Sequence, residues 1–138
     1  MPDPFSITVA CFSLANSIGK LSTNIYSFVS RARDAHRDLD AVLKELSSLG
    51  LCIETLRNDA LVKAERIPKS LEHRVLLVLA NTGEVIKDMR QLLKDLSSER
   101  FGNKMRWALS GQDNMNKLRS RLEAHKASLE IALALLTL

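Results

Sequence analysis

The stretch LDAVLKELSSLGLCIETLRNDA, residues 39–60, decides the fold. Its apolar side chains fall at Leu39, Val42, Leu46, Leu49, Ile53, Leu56 and Ala60, in alternating steps of three and four. An α-helix turns once in about 3.6 residues, so these positions form one stripe along it. A strand would alternate at every second residue instead. The segment therefore reads as a helix with one face turned to a core.

Three other segments repeat the spacing. Ile7, Cys11, Leu14, Ile18, Leu21, Ile25 and Phe28 give the first, upstream. Leu71, Val75, Val78, Thr82, Val85, Met89, Leu92 and Leu96 give the third, and Met115, Leu118, Leu122, His125, Leu129, Ala132 and Leu136 the fourth. Only Thr82 and His125 break the apolar rule. Helices of about 25 residues with short connections pack as an antiparallel four-helix bundle, so the expected fold is all-α. A short extra helical turn is expected between helices three and four, around Met105–Leu109.

Boundary chemistry fits this division. Asp3 is placed to cap the first helix, with Pro4 at its first position, where a missing N–H costs nothing. Ser70 after Pro68 and Asp113 after Gly111 are the expected caps of helices three and four. The break between helices one and two is expected near Ser30–Asp34; one continuous helix is the alternative, since no Gly or Pro lies between Lys20 and Leu49.

With 138 residues the chain is long enough for one domain with a real core. Aromatic residues make up only 4%, so that core must be aliphatic. Cys11 and Cys52 sit in apolar stripes and read as buried, reduced thiols in an intracellular setting. The net charge is +4, with seven basic and four acidic side chains in residues 99–138. Residues 4–30 carry a single charge, Lys20. Ser6, Thr8, Ser13, Asn16 and Ser17 interrupt that run, and a spanning helix wants about 20 predominantly apolar residues. Asp3 stands where a secretory signal would be basic. Neither a membrane span nor a signal peptide is expected, and helix four's closing IALALLTL points to a domain boundary near Leu138.

Motifs for catalysis are missing. SIGKLS at 17–22 contains Gly-Lys, but a phosphate-binding loop needs Gly where Leu14 stands and Ser or Thr where Leu21 stands. His36, His73 and His125 have no metal-ligand spacing, and no Cys-x-x-Cys exists. Glu45, Glu54, Glu84 and Glu123 read as solvated helix faces. His125 falls on a core stripe, where a hydrogen-bonded core histidine and a pH switch are the competing readings. Trp107, between Lys104, Arg106 and an apolar pair, either pins the linker to the bundle or sits at a membrane interface. Basic residues here lack the interleaved aromatic surface and motifs of nucleic-acid binding. The expectation is a non-enzyme without cofactor, metal or nucleic-acid partner.

Three blocks carry a family likeness: MPDPFSITVACFSLANSIGKL, RDAHRDLDAVLKELSSL and KMRWALSGQDNMNKLRSRLEAHKASLEIALALL. Together they cover most of the chain, and it resembles the HeLo-like N-terminal domain of fungal STAND proteins. These are NLR-like receptors, in a family also named for a fungal azaphilone-cluster protein. The resemblance implies a single HeLo-like bundle over residues 1–138, at the N-terminus of a longer receptor. It also implies an effector that oligomerises and targets or permeabilises membranes in programmed cell death, including heterokaryon incompatibility and innate immunity. In similar domains the first helix is the part that enters the membrane, which here means Phe5, Ile7, Val9, Phe12, Leu14 and Ile18. This chain lacks the acidic residue some relatives carry in that helix, which counts against a cation channel.

Residues and resemblance together set the remaining expectations. Lys104, Arg106, Trp107, Lys117, Arg119 and Arg121 are the candidate contacts to anionic membrane lipids. Partners would be other copies of the chain, with a resting dimer as one form, anionic lipids, and downstream domains of the receptor. The protein would be cytoplasmic and recruited to the plasma membrane on activation. The alternative is a non-lytic homodimerisation or adaptor module, using the spare stripe of Phe5, Val9 and Phe12.

Overall fold

A computed structural model describes residues 4–32, 35–63, 66–97 and 111–138, with side chains from Ile7 onward. Four helices make up the described chain: α1, Pro4–Arg31; α2, His36–Val62; α3, Lys69–Ser97; and α4, Gln112–Leu136. Among the described residues there is no strand.

Cross-helix contacts give the arrangement. α1 packs beside α2 and α3, and α4 packs beside the same two, so α1 and α4 lie on one diagonal. Consecutive helices run antiparallel: Tyr26 and Val29 near the end of α1 share a pocket with His36 and Asp40 at the start of α2, and Leu71 and Val75 at the start of α3 share one with Ala132 and Leu135 at the end of α4. The other two seams are parallel. Arg90 of α3 reaches Asn24 of α1, each about twenty residues into its helix, at 3.1 Å. Gln112 meets Asp38 where α4 and α2 begin, and Lys63 meets the Leu136 carbonyl where both end. The link from α2 to α3 therefore crosses the bundle diagonal. We call the base the end where α1 and α3 begin and α2 and α4 finish, and the top the opposite end.

The α2 stripe is buried at every expected position, joined by Cys52. The α1 stripe is buried too, except that Ile18 is only half covered. In α3 the core face is centred further round. Leu79, Ile86 and Leu93 are buried, while Leu71, Val78 and Leu92 stand at its edge. The cause is the run of adjacent apolar pairs, Val78 with Leu79, Val85 with Ile86 and Leu92 with Leu93, either member of which can turn to the core. Along α4 the fully covered positions recur every seventh residue, at Met115, Leu122, Leu129 and Leu136. Thr82 is accommodated by donating to the Val78 carbonyl at 2.7 Å.

Helix ends differ from the expected caps. α3 begins at Lys69, one residue after Pro68, whose carbonyl accepts the Glu72 N–H at 3.0 Å, so Ser70 lies inside the first turn. Gly111, not Asp113, precedes α4, and Asp113 complements the helix dipole from the first turn. The break between α1 and α2 falls within residues 32–35, toward the C-terminal edge of the expected region, with Ala32 and Ala35 both buried. Asp3 and the turn expected at Met105–Leu109 lie outside the described residues.

Candidate interaction surface

α1 presents two faces of different character. Ile7 and Leu14 are buried in the bundle core and Ile18 is half buried, so none of these three offers a free apolar surface in this conformation. Val9 and Phe12 are exposed, at 66% and 67%. Phe5 lies outside the residues whose side chains are described. The candidate contact set on α1 thus divides: Val9 and Phe12 face water, and the other described members hold the helix to the bundle.

Those two side chains belong to a larger pattern. Ten large apolar residues are exposed among the described residues, and only Tyr26 lies in the top half. Val9 and Phe12 of α1, Leu51, Leu61 and Val62 of α2, Leu77 of α3, and Ile131, Leu135 and Leu138 at the end of α4 all lie in the half toward the base. Between α3 and α4, Leu77, Val78, Ile131 and Leu135 line an apolar groove of about 300 Å³. Through Leu71, Arg74 and Leu135 it joins a cleft of about 640 Å³ at the base, whose rim also carries Lys63 and Arg66.

Charge at the base is mostly basic. Lys63 donates to the Leu136 carbonyl at 2.6 Å, tying the ends of α2 and α4. Arg66, Lys69 and Arg74 have no ion-pair partner among the described residues. Arg57 pairs with Glu54 on its own helix. Glu72 is buried in line with the α3 core stripe, and its Oε1 has no hydrogen-bond partner among the described residues.

The expected anion-binding set is not one surface. Lys104, Arg106 and Trp107 lie outside the described residues. Arg119 sits 3.9 Å from Glu123, Arg121 pairs with Asp88 across the α3 seam, and Lys117 is exposed. Steps of about 100° per residue place Arg119 on the opposite side of α4 from Lys117 and Arg121. Lys126, on the Arg119 side, is fixed to Glu45 of α2 at 2.8 Å. α4 lies between α2 and α3, so its basic residues supply pairs to both seams.

Several residues at the base were missed from sequence. Arg66, Lys69 and Arg74 surround the α2–α3 link, and their signal was the spacing of basic residues in KAERIPKS. Ile131 and Leu135 were visible in IALALLTL, which is apolar on more sides than one core contact needs.

Titration follows burial. The Cys11 thiol is pushed up to about 12, first by burial, with Arg57 opposing. Cys52 is raised for the same first reason, with Glu130 adding to it. His125 is held below its ordinary value by burial and then by Arg121. Lys126 is raised, chiefly by its hydrogen bond to Glu45. Among the described residues no three His, Cys, Asp or Glu side chains converge as metal ligands, and no helix is long and apolar enough to cross a membrane.

Compared with protein-family models, curated proteins and solved structures, the chain matches none.

Proposed function

We propose that this chain is a HeLo-like effector domain of an NLR-like fungal receptor, and that it targets membranes through the base of its bundle. The supporting observation is that nine of the ten exposed large apolar side chains of the described residues lie in the half toward the base, the half that also carries Lys63, Arg66, Lys69 and Arg74. Apolar side chains rimmed by cations suit the boundary between acyl chains and anionic headgroups. Each basic residue near such a surface contributes about 1 kcal/mol.

Magnitudes separate docking from insertion. Docking leaves the core intact. Releasing α1 exposes Ile7, Leu14, Leu21, Ile25 and Phe28, each buried to within a few per cent. At roughly 1.5–3 kcal/mol per side chain this costs about 8–15 kcal/mol, as much as the whole stability of a domain. Permeabilisation by α1 therefore needs oligomerisation and acyl-chain burial to offset that cost, whereas recruitment needs neither.

The test is cosedimentation of the purified domain with phosphatidylserine-containing and neutral vesicles, with dye release by the domain, by a forced oligomer, and by a form lacking residues 1–20. Recruitment predicts binding that favours anionic vesicles, and leakage only from the oligomer with α1 intact. Absence of binding to either vesicle sinks the proposal. The apolar α3–α4 groove supports the second reading, a non-lytic homodimer or adaptor. That reading predicts self-association in sedimentation velocity without any vesicle binding.

A further inference from the structure

A second charged feature lies toward the top, away from the base. α1 and α3 run parallel there, and their seam opens into a cleft of about 450 Å³. Steps of three and four place Asn24, Ser27 and Arg31 on one face of α1. The same spacing sets Lys87, Arg90, Gln91 and Lys94 on the facing side of α3. Among the described residues the lining holds four cations and no carboxylate, with Leu93 as its apolar member.

Of the acids on α3, Asp88 is engaged outside the cleft and Asp95 is bonded to one of its lining residues. Asp88 pairs with Arg121 of α4 at 3.5 Å, and Asp95 accepts from Gln91 at 2.9 Å. None of the four cations has an ion-pair partner among the described residues. Arg90 donates from Nε to Asn24 Oδ1 at 3.1 Å, which fixes its guanidinium across the seam. One or two such cations would be an ordinary solvated face. Four from two helices around one cleft, with neutral hydrogen-bonding groups between them, repel one another until an anion enters.

We propose that this cleft binds a compact, multiply phosphorylated anion, either a free polyphosphate or the headgroup of a phosphorylated lipid. Arg31 and Arg90 present planar forks to phosphate oxygens, Lys87 and Lys94 act as point charges, and Asn24 and Gln91 flank the pocket with amides. One carboxylate would leave most of the positive charge uncompensated. Because the ligand touches both helices, it ties α1 to α3 and stabilises the bundle. The proposal stands apart from docking through the base.

The experiment titrates the domain with inorganic tripolyphosphate by calorimetry, and separately with phosphoinositide and phosphatidylserine vesicles. The variants are K87Q/K94Q and, as a control with the same charge change on α2, outside the cleft, R37Q/K44Q. Tripolyphosphate is expected to bind and to raise the thermal midpoint. K87Q/K94Q should weaken binding on the order of a hundredfold, about tenfold for each lost charge-assisted contact, with helical circular dichroism unchanged. R37Q/K44Q should change it by less than about threefold, as expected for screened distant charge. Phosphoinositide vesicles bound without tripolyphosphate, and lost in K87Q/K94Q, would assign the lipid headgroup as the source. Equal losses in both variants would mean diffuse attraction and overturn the site, as would no binding of either phosphorylated probe. Phosphoinositide vesicles bound no better than phosphatidylserine vesicles, with no binding of tripolyphosphate, would overturn it too, while leaving docking through the base in place.

Discussion

The double substitution Val9→Ser, Phe12→Ser separates a membrane-facing role of α1 from its role in the core. Both side chains are about two-thirds exposed in the folded domain. A fully buried Val or Phe side chain is worth roughly 1.5–3 kcal/mol, so the part still in water offers about 1–2 kcal/mol to any surface that covers it. Removing both should lower the partition coefficient onto phosphatidylserine vesicles by about 2–4 kcal/mol, roughly thirtyfold to several hundredfold. Folding should hardly change, because exposed substitutions stay within about 0.5 kcal/mol, which moves the midpoint of a chain this size by about 1–3 °C. Cosedimentation across a lipid titration gives the first quantity and calorimetry the second. Salt resolves the contributions: the loss from the double variant should be independent of ionic strength, whereas Arg66→Gln, Arg74→Gln should weaken binding most at low salt. A partition change below threefold, with binding otherwise intact, would refute the assignment of the base as the docking surface. A fall of ten degrees or more in the midpoint would instead place Val9 and Phe12 in the core.

Three further outcomes follow from charge and burial. Cys11 ionises in the fold only near 12 instead of 9.0; above pH 9 the unfolded chain alone loses this proton, so stability should fall between pH 9 and 12. Urea midpoints against pH should show a shallower decline in Cys11→Ala. His125 has a lowered value, so the unfolded chain takes up the proton first as pH falls below 6.5; stability should drop on acidification, and His125→Gln should remove that part of the pH dependence. Lys126 and Glu45, 2.8 Å apart and only 20% and 15% exposed, form the best covered ion pair between helices in the described residues. Lys126→Ala should cost about 1–3 kcal/mol by urea denaturation, more than exposed pairs such as Lys44 with Asp40. The double variant with Glu45→Ala should recover part of that loss.

The four stripes were legible because a buried seam imposes a spacing that any reader can count. Leu39 to Ala60 faces one direction through about six turns, and every member is buried. Legibility failed where apolar residues stand in adjacent pairs. The α3 stripe drawn through Val78 and Leu92 missed Leu79 and Leu93, since such pairs admit two equally good phases. It failed again for charge, because the pairing of Arg121 with Asp88 and of Lys126 with Glu45 depends on which helices adjoin α4. Sequence spacing does not carry that information. The diagonal link from α2 to α3 was hidden for the same reason, as a short connection does not say which neighbour the next helix chooses.

That diagonal crossing is what gives the bundle its two unlike ends. It makes α1 and α3 start together, so the uncharged opening of α1 lies at the same end of the bundle as Arg66, Lys69 and the apolar finish of α4. It also makes α1 and α3 end together, which brings Arg31 alongside Lys87, Arg90 and Lys94. In a bundle with α1 flanked by α2 and α4, those cations would sit apart and their repulsion would vanish. The charge-poor character of residues 4–30 then has two physical sources. Its core stripe must be apolar to bury Ile7 through Phe28, and its outer stripe at Val9 and Phe12 must be uncharged if the base is to meet an apolar surface. The first constraint holds along the entire helix. The second ends at Asn16, about where α1 leaves the base half, and Lys20 and Arg31 appear only beyond that point.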